Sequence, residues 1–207
     1  MIIPAILEKT KEDLLLRISQ IESLTDMVHI DIMDGSITDE KTFHPSLIKN
    51  INIPSEIHFM CNTPSLYIND INGGLVQKVI IQREIDNFEK EIKIFKDLFI
   101  TYGSLDIGTP TDDIKDFIDI LDGIMLMSVK FGKAGQEFNS TVLGKIDKIK
   151  NFTNNTELDG GITLDNVKLC YDKGIKDFAI SSSIYKSENI KKTIENFNNV
   201  LYGQLKT

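Results

Sequence analysis

Apolar residues along this chain gather in short runs at regular intervals, and segments with helical spacing of apolar and polar positions fill the gaps. Runs of strand length lie at residues 2–7, 27–32, 55–60, 76–81, 99–106, 123–129, 156–159 and 177–181. They carry few polar positions, as strands buried on both faces do. Segments of helical period lie at 11–24, 88–98, 112–121, 140–151, 164–173 and 189–201. In the first of these, Leu14, Leu15, Ile18 and Ile21 share one face. Strands separated by helices predict a parallel sheet covered by helices. Eight strand-then-helix units in 207 residues fit a compact (β/α)8 TIM barrel, an α/β fold. An open doubly wound sheet is the alternative, but the glycine-rich fingerprint that usually follows its first strand is missing. No linker or low-complexity tract divides the chain, so residues 1–207 read as a single barrel domain.

Composition narrows the function. The chain has 23 basic and 31 acidic residues and a net charge of −8. It repels polyanions as a whole, which argues against nucleic acid and anionic membranes as partners. A small anion can still be held by local backbone N–H groups. Cys61 and Cys170 are too few for a disulfide framework. No stretch approaches the ~20 apolar residues needed to span a bilayer, and no basic leader opens the chain. A cytoplasmic location is the expectation.

Reactive side chains collect at the strand ends. Only three histidines occur, and two of them end apolar runs. The segments are Val28-His29-Ile30-Asp31-Ile32-Met33-Asp34-Gly35, Ile57-His58-Phe59-Met60 and Leu158-Asp159-Gly160-Gly161. In a (β/α)8 barrel the C-terminal strand ends form the active site. His29 and Asp31, two apart on a strand, point the same way. His58 and Asp159 end other strands, so four ligands from three strands can converge at the barrel mouth. Two imidazoles and two carboxylates suit one divalent ion such as Zn, Fe(II), Mn or Co.

These motifs, with Met-Ser-Val at 127–129 and Gly-Gln-Glu-Phe at 135–138, resemble the ribulose-phosphate 3-epimerase family in content and order. The resemblance runs from Pro4 to about Tyr185. It implies that Asp31 and Asp159 are metal ligands that double as acid and base at C3 of a ketose phosphate. By default the reaction interconverts D-ribulose 5-phosphate and D-xylulose 5-phosphate through a metal-stabilised enediolate. Met33, Met60 and Met127 fall where that family places methionines around the intermediate. Substrate phosphate would rest on backbone N–H groups of Gly132, Lys133, Ala134 and Gly135, of Gly160 and Gly161, and of Ser181 and Ser182. The resemblance also implies self-association into a homo-oligomer.

The chain departs from the family pattern around this centre. Glu8 stands where the family has a serine expected to touch substrate, Ser36 to Glu40 replace a His-Phe-Val-Pro-Asn segment, and Gln82 replaces a histidine. Asp106-Ile107-Gly108-Thr109 and Phe131-Gly132-Lys133-Ala134-Gly135 replace other family loops, and Ser181 replaces a glycine. Lys130 and Lys133 add positive charge in the sixth loop. Asp34 is a candidate partner for His29 or His58, or a turn cap; His44 reads as a surface residue and Cys61 as a buried thiol. These departures bear on the sugar, so an epimerase of a six-carbon ketose phosphate such as allulose 6-phosphate is the nearest alternative. A non-catalytic sugar-phosphate-binding barrel is a further one. The related decarboxylase and hexulose-phosphate synthase branch carries Asp-x-Lys-x-x-Asp, and the lysine is absent from Asp31-Ile32-Met33-Asp34.

Overall fold

In a computed structural model of the chain, describing residues 1–203, the eight apolar runs pair in parallel, each with the next, and the last returns to the first to close a barrel. Residues 204–207, the end of the expected domain, lie outside the described residues. The strands are β1 (Ile2–Ile6), β2 (Val28–Met33), β3 (Ser55–Met60), β4 (Val76–Gln82), β5 (Ile100–Leu105), β6 (Gly123–Met127), β7 (Thr156–Asp159) and β8 (Asp177–Ile180). Every expected strand is present, two with the expected bounds and the others with ends shifted by one or two residues. The TIM-barrel fold class is therefore established by the strand order.

The helices are α1 (Lys11–Ile21), α2 (Ile68–Ile71), α3 (Phe88–Lys96), α4 (Val142–Ile149), α5 (Leu164–Asp172), α6 (Ser182–Tyr185) and α7 (Ile190–Tyr202). Side chains start the first and last of the long ones. Thr10 Oγ1 accepts the Asp13 N–H at 3.1 Å, and Asn189 Oδ1 accepts the Lys192 N–H at 2.9 Å. The segment expected as a helix at 112–121 is a 3-10 helix, Thr111–Ile120. Its inward residues explain why: Thr111, Ile114, Phe117 and Ile120 recur every three positions, the period at which a 3-10 helix stacks its side chains. Short 3-10 turns at Pro45–Asn50 and Pro64–Tyr67 fill connections where no helix was expected.

Two interiors result. The larger lies between sheet and helices, where Phe59, Phe95, Phe178 and Phe197 are fully buried. Each such ring contributes roughly 1.5–3 kcal/mol by leaving water. The smaller lies inside the barrel, where Ile80, Tyr102, Met125, Met127 and Val129 form an apolar wall. The opposite part of that inner space is filled by polar and charged side chains, and the candidate site is built there. Among the described residues no helix is long and apolar enough to cross a membrane.

Candidate active site

Strand alternation places His29 and Asp31 on the inner face of β2, and barrel register supplies their neighbours. His29 pairs across with Glu56 on β3, Asp31 with His58, and Met127 on β6 with Asp159 on β7. His29 Nε2 lies 3.3 Å from Asp31 Oδ1, and His58 Nδ1 lies 3.1 Å from the same oxygen. The two rings meet edge to face with centroids 5.6 Å apart. Donor atoms of His29, Asp31, His58 and Asp159 all fall within 4.8 Å of one another. The four strand-end residues singled out in the sequence are thus brought together.

This donor set fits a divalent cation, and its surroundings fit as well. Each imidazole is held from behind through its other nitrogen: His29 Nδ1 donates to Glu56 Oε1 at 2.7 Å, and His58 Nε2 donates to Gln82 Oε1 at 2.8 Å. Such partners fix the tautomer and leave the nitrogen facing the cluster free to ligate. Both histidines are fully buried, whereas Asp159 keeps an edge open to the pocket.

The two aspartates sit in different electrostatic settings. Burial pushes the Asp31 carboxyl up, but the His29 and His58 rings set against it outweigh that and hold the group at about 2. Burial and the Asp31 charge together push Asp159 up to about 6. Burial disfavours a charged His29, yet its bonds to Asp31, Glu157 and Glu56 raise it well above the ordinary histidine value. In the metal-free chain the pair therefore divides into an ionised Asp31 and a proton-holding Asp159 below about pH 6.

Above the cluster opens a pocket of about 520 Å³, its mouth included. Asp31 and Asp159 form its floor, with Met60 and Met127 beside them. Gly132, Lys133, Ala134 and Gly135 form one rim, and Gly160, Gly161, Ser181 and Ser182 another. Gly161 has φ +60, and a Cβ placed there would lie 2.4 Å from the Phe138 backbone nitrogen, so only glycine fits this approach. The sixth loop is stapled by Gln136, whose Nε2 donates to the Lys130 carbonyl at 2.6 Å and to the Lys133 carbonyl at 2.9 Å.

Several expected site residues lie elsewhere. Met33 does not reach the pocket wall; it is buried beneath the sixth loop, its Sδ 3.8 Å from the position a Gly132 Cβ would take. Glu8 turns toward Arg17, pairing with its Nε at 2.7 Å, and lines an adjoining hollow that shares Ala134, Gly135, Ser181 and Ser182 with the main pocket. Carboxylate attraction to the nearest cation explains the turn. Asp34 touches neither histidine. Its Oδ1 accepts from the Ser36 N–H at 2.9 Å and its Oδ2 from the Tyr67 hydroxyl at 3.1 Å, making it a turn cap. His44 is exposed and Cys61 buried, as expected.

The replaced loops support one another. Asp106 Oδ1 accepts the Phe131 N–H at 3.0 Å, tying the fifth loop to the sixth. Thr38 of the second loop packs against Gly132, and Glu40 pairs with Lys9 at 2.5 Å. Between the second and sixth loops lies another hollow of about 1090 Å³, counting its open mouth. It joins the main pocket's wall at Gly132, Lys133 and Gln136.

Sequence reading missed Glu56, Lys78 and Glu157, all buried inside the barrel. The signal was available: Glu56 and Glu157 stand two residues before His58 and Asp159, and Lys78 four before Gln82, so alternation points each inward.

Residues 1–185 match the sequence profile of the ribulose-phosphate 3 epimerase family. The ribulose-phosphate 3-epimerase of Buchnera aphidicola is 29% identical over 196 residues, covering 87% of this chain and 86% of the relative. That of Bacillus subtilis is 27% identical over 182 residues, covering 82% and 84%. A crystal structure of 3-hexulose-6-phosphate synthase from Salmonella typhimurium superposes with a TM-score of 0.73 at 13% identity, over 97% of both chains, a likeness of fold alone. The chain belongs to the ribulose-phosphate 3-epimerase family and is thereby an isomerase of the epimerase class acting on carbohydrates.

Proposed function

We propose that this barrel epimerises C3 of a ketose phosphate, by default D-ribulose 5-phosphate to D-xylulose 5-phosphate, with Asp31 and Asp159 as the two proton-transfer groups. The observation that carries this reading is the meeting of two carboxylates from different strands on the pocket floor, within one four-donor cluster.

His29, Asp31, His58 and Asp159 would hold the metal, with Zn, Fe(II), Mn and Co all compatible with two nitrogen and two oxygen donors. When bound, that ion supplies Lewis-acid stabilisation of the negative charge developing on the C2 and C3 oxygens. Asp31 removes the C3 proton of the ribulose epimer, and Asp159 delivers a proton to the same carbon from its own side; the roles reverse in the back reaction. The two reach the floor from strands separated by β1 and β8, so they approach the substrate from different directions. Met60 and Met127 line the floor with apolar, polarizable surface that keeps water from the carbanionic carbon.

Phosphate is assigned to the glycine-rich rims after β6, β7 and β8, where the Gly160, Gly161, Ser181 and Ser182 backbone closes on the pocket. Lys133 adds a cation at the rim. Residues 1–207 act as one domain, in the cytoplasm and as a homo-oligomer.

The hollow between the second and sixth loops favours a second reading, a six-carbon ketose phosphate whose extra carbon extends past Gly132 and Gln136. Incubation with D-ribulose 5-phosphate or D-allulose 6-phosphate, followed by 13C NMR of the products, tests both. Conversion of the five-carbon ketose alone is expected. Conversion of only the six-carbon ketose moves the assignment to the second reading, and conversion of neither, with sugar phosphate bound, leaves a binding barrel.

A further inference from the structure

Below the four-donor cluster lies a second concentration of charge that neither the epimerisation chemistry nor the phosphate rim uses. Glu56 on β3, Lys78 on β4 and Glu157 on β7 are all buried within the barrel. His29, Glu56 and Glu157 alone make a cation-type donor trio, with atoms within 4.8 Å of one another. On the far side of both carboxylates the charge is answered by a protein cation. Lys78 Nζ lies 2.5 Å from Glu56 Oε2 and 2.8 Å from Glu157 Oε2. The ammonium also sits 4.6 Å from the centre of the Tyr102 ring, which closes the side of the barrel away from the carboxylates.

The division of oxygens carries the consequence. Both carboxylates give Oε2 to Lys78 and turn Oε1 toward the same atom, His29 Nδ1, at 2.7 Å from Glu56 and 3.5 Å from Glu157. A carboxylate free to rotate would present either oxygen; one clamped by a fixed ammonium presents only the other. His29 is therefore held by a chain of contacts from β2 through Glu56 on β3 and Glu157 on β7 that ends at Lys78 on β4.

We propose that Lys78 is a fixed internal cation and a positioning residue for His29, acting through Glu56 and Glu157. It touches no substrate. It sets the direction of the His29 Nε2 lone pair, and so the affinity of the four-donor cluster for its ion. This inference rests on the metal-centre reading given above.

The chain's three histidines make the test direct. The full chain is labelled with 15N-histidine and loaded with Zn²⁺, and the ring nitrogens are read by long-range 1H–15N NMR. Affinity for Co²⁺ is measured by competition with a chromophoric chelator. In the unaltered chain His29 is expected to carry its proton on Nδ1, with a low-field signal from the bond to Glu56. Lys78→Met is expected to lose or broaden that signal and to bind Co²⁺ roughly 10–100-fold more weakly, while the His58 signals stay in place. Because Lys78→Met leaves two buried carboxylates without their cation, the charge-balanced Lys78→Met/Glu157→Gln chain is measured beside it. Its melting temperature is expected to recover while the His29 signal and the Co²⁺ affinity do not. Recovery of all three would reduce Lys78 to a stabilising ion pair and overturn the proposal. A folded variant with unchanged His29 signal and unchanged affinity would do the same, as would a His29 proton found on Nε2 in the unaltered chain. An unaltered chain that takes up neither ion removes the metal-centre reading itself, an outcome distinct from these.

Discussion

Gln82 Oε1 lies 2.8 Å from His58 Nε2, on the side of the ring away from Asp31, whose Oδ1 is 3.1 Å from Nδ1. The amide oxygen can only accept, so it holds a proton on Nε2 and leaves the Nδ1 lone pair facing the cluster. The residue that departs from the family pattern here thus does the orienting work the site needs. Gln82→Leu is expected to weaken divalent-ion binding roughly 10–100-fold, as loss of such partners does. Chelator competition with Co²⁺ measures it, and an unchanged affinity would show that Gln82 does not orient the ring.

The two carboxylates are expected to be separable. Asp31→Asn and Asp159→Asn should each cut turnover by at least ~100-fold, the scale of general acid–base catalysis. Asp159→Asn keeps the group that removes the C3 proton of D-ribulose 5-phosphate. In deuterated solvent it should still exchange that proton while forming almost no xylulose 5-phosphate, and Asp31→Asn should do neither. Inversion by either variant at near the unaltered rate contradicts the assignment.

The charged interior gives the metal-free chain a defined pH response. The Asp159 carboxyl rises from 3.8 to about 6 through burial and the charge of Asp31. Between those values the folded chain keeps a proton that the unfolded chain has lost. Its contribution to stability is full below 3.8 and is lost as pH climbs through about 6. Glu56, raised from 4.5 to about 7 by burial and by Glu157, acts in the same sense. Asp31, held at about 2, contributes above 3.8 and loses that contribution as pH falls through about 2. Urea unfolding should therefore have a higher midpoint at about pH 5 than at about pH 7. Asp159→Asn should shrink the difference. Metal binding, which must expel protons from both Asp159 and His29, should weaken as pH falls.

Gly161→Ala tests the phosphate rim. Its Cβ would meet the Phe138 backbone at 2.4 Å and would sit at a positive φ, so the rim must shift. A rise in KM for the sugar phosphate is expected to exceed any fall in kcat, because the substitution leaves the Asp31 and Asp159 floor in place. A fall in kcat alone would place the phosphate elsewhere.

Much of this was legible in the amino-acid order. Apolar runs such as Ile2–Ile6 and Gly123–Met127, with no polar side chain in them, read as strands buried on both faces. The pair His29 and Asp31 follows from alternation, and their meeting with His58 and Asp159 follows from barrel closure. The charged layer of Glu56, Lys78 and Glu157 shows only when alternation is followed back along each strand from His58, Gln82 and Asp159, because a single polar residue inside an apolar run otherwise looks like an outward position. Glu8 illustrates the opposite limit. It adjoins the strand end that lines the pocket, but a neighbouring guanidinium, nine residues along the chain, decides where the carboxylate points. The 3-10 helix Thr111–Ile120 was readable from a three-residue spacing that resembles a helical one over so short a length.

The central claim is two-base proton transfer at C3 assisted by a divalent ion. Deuterium incorporation at C3 of D-ribulose 5-phosphate, followed in D₂O with Zn²⁺, Fe²⁺ or Mn²⁺ added and with a chelator as control, tests it most directly. Metal-dependent incorporation is expected, with xylulose 5-phosphate appearing alongside and both lost on chelation. Inversion that proceeds without solvent deuterium entering C3, or that is indifferent to metal and chelator alike, would contradict it.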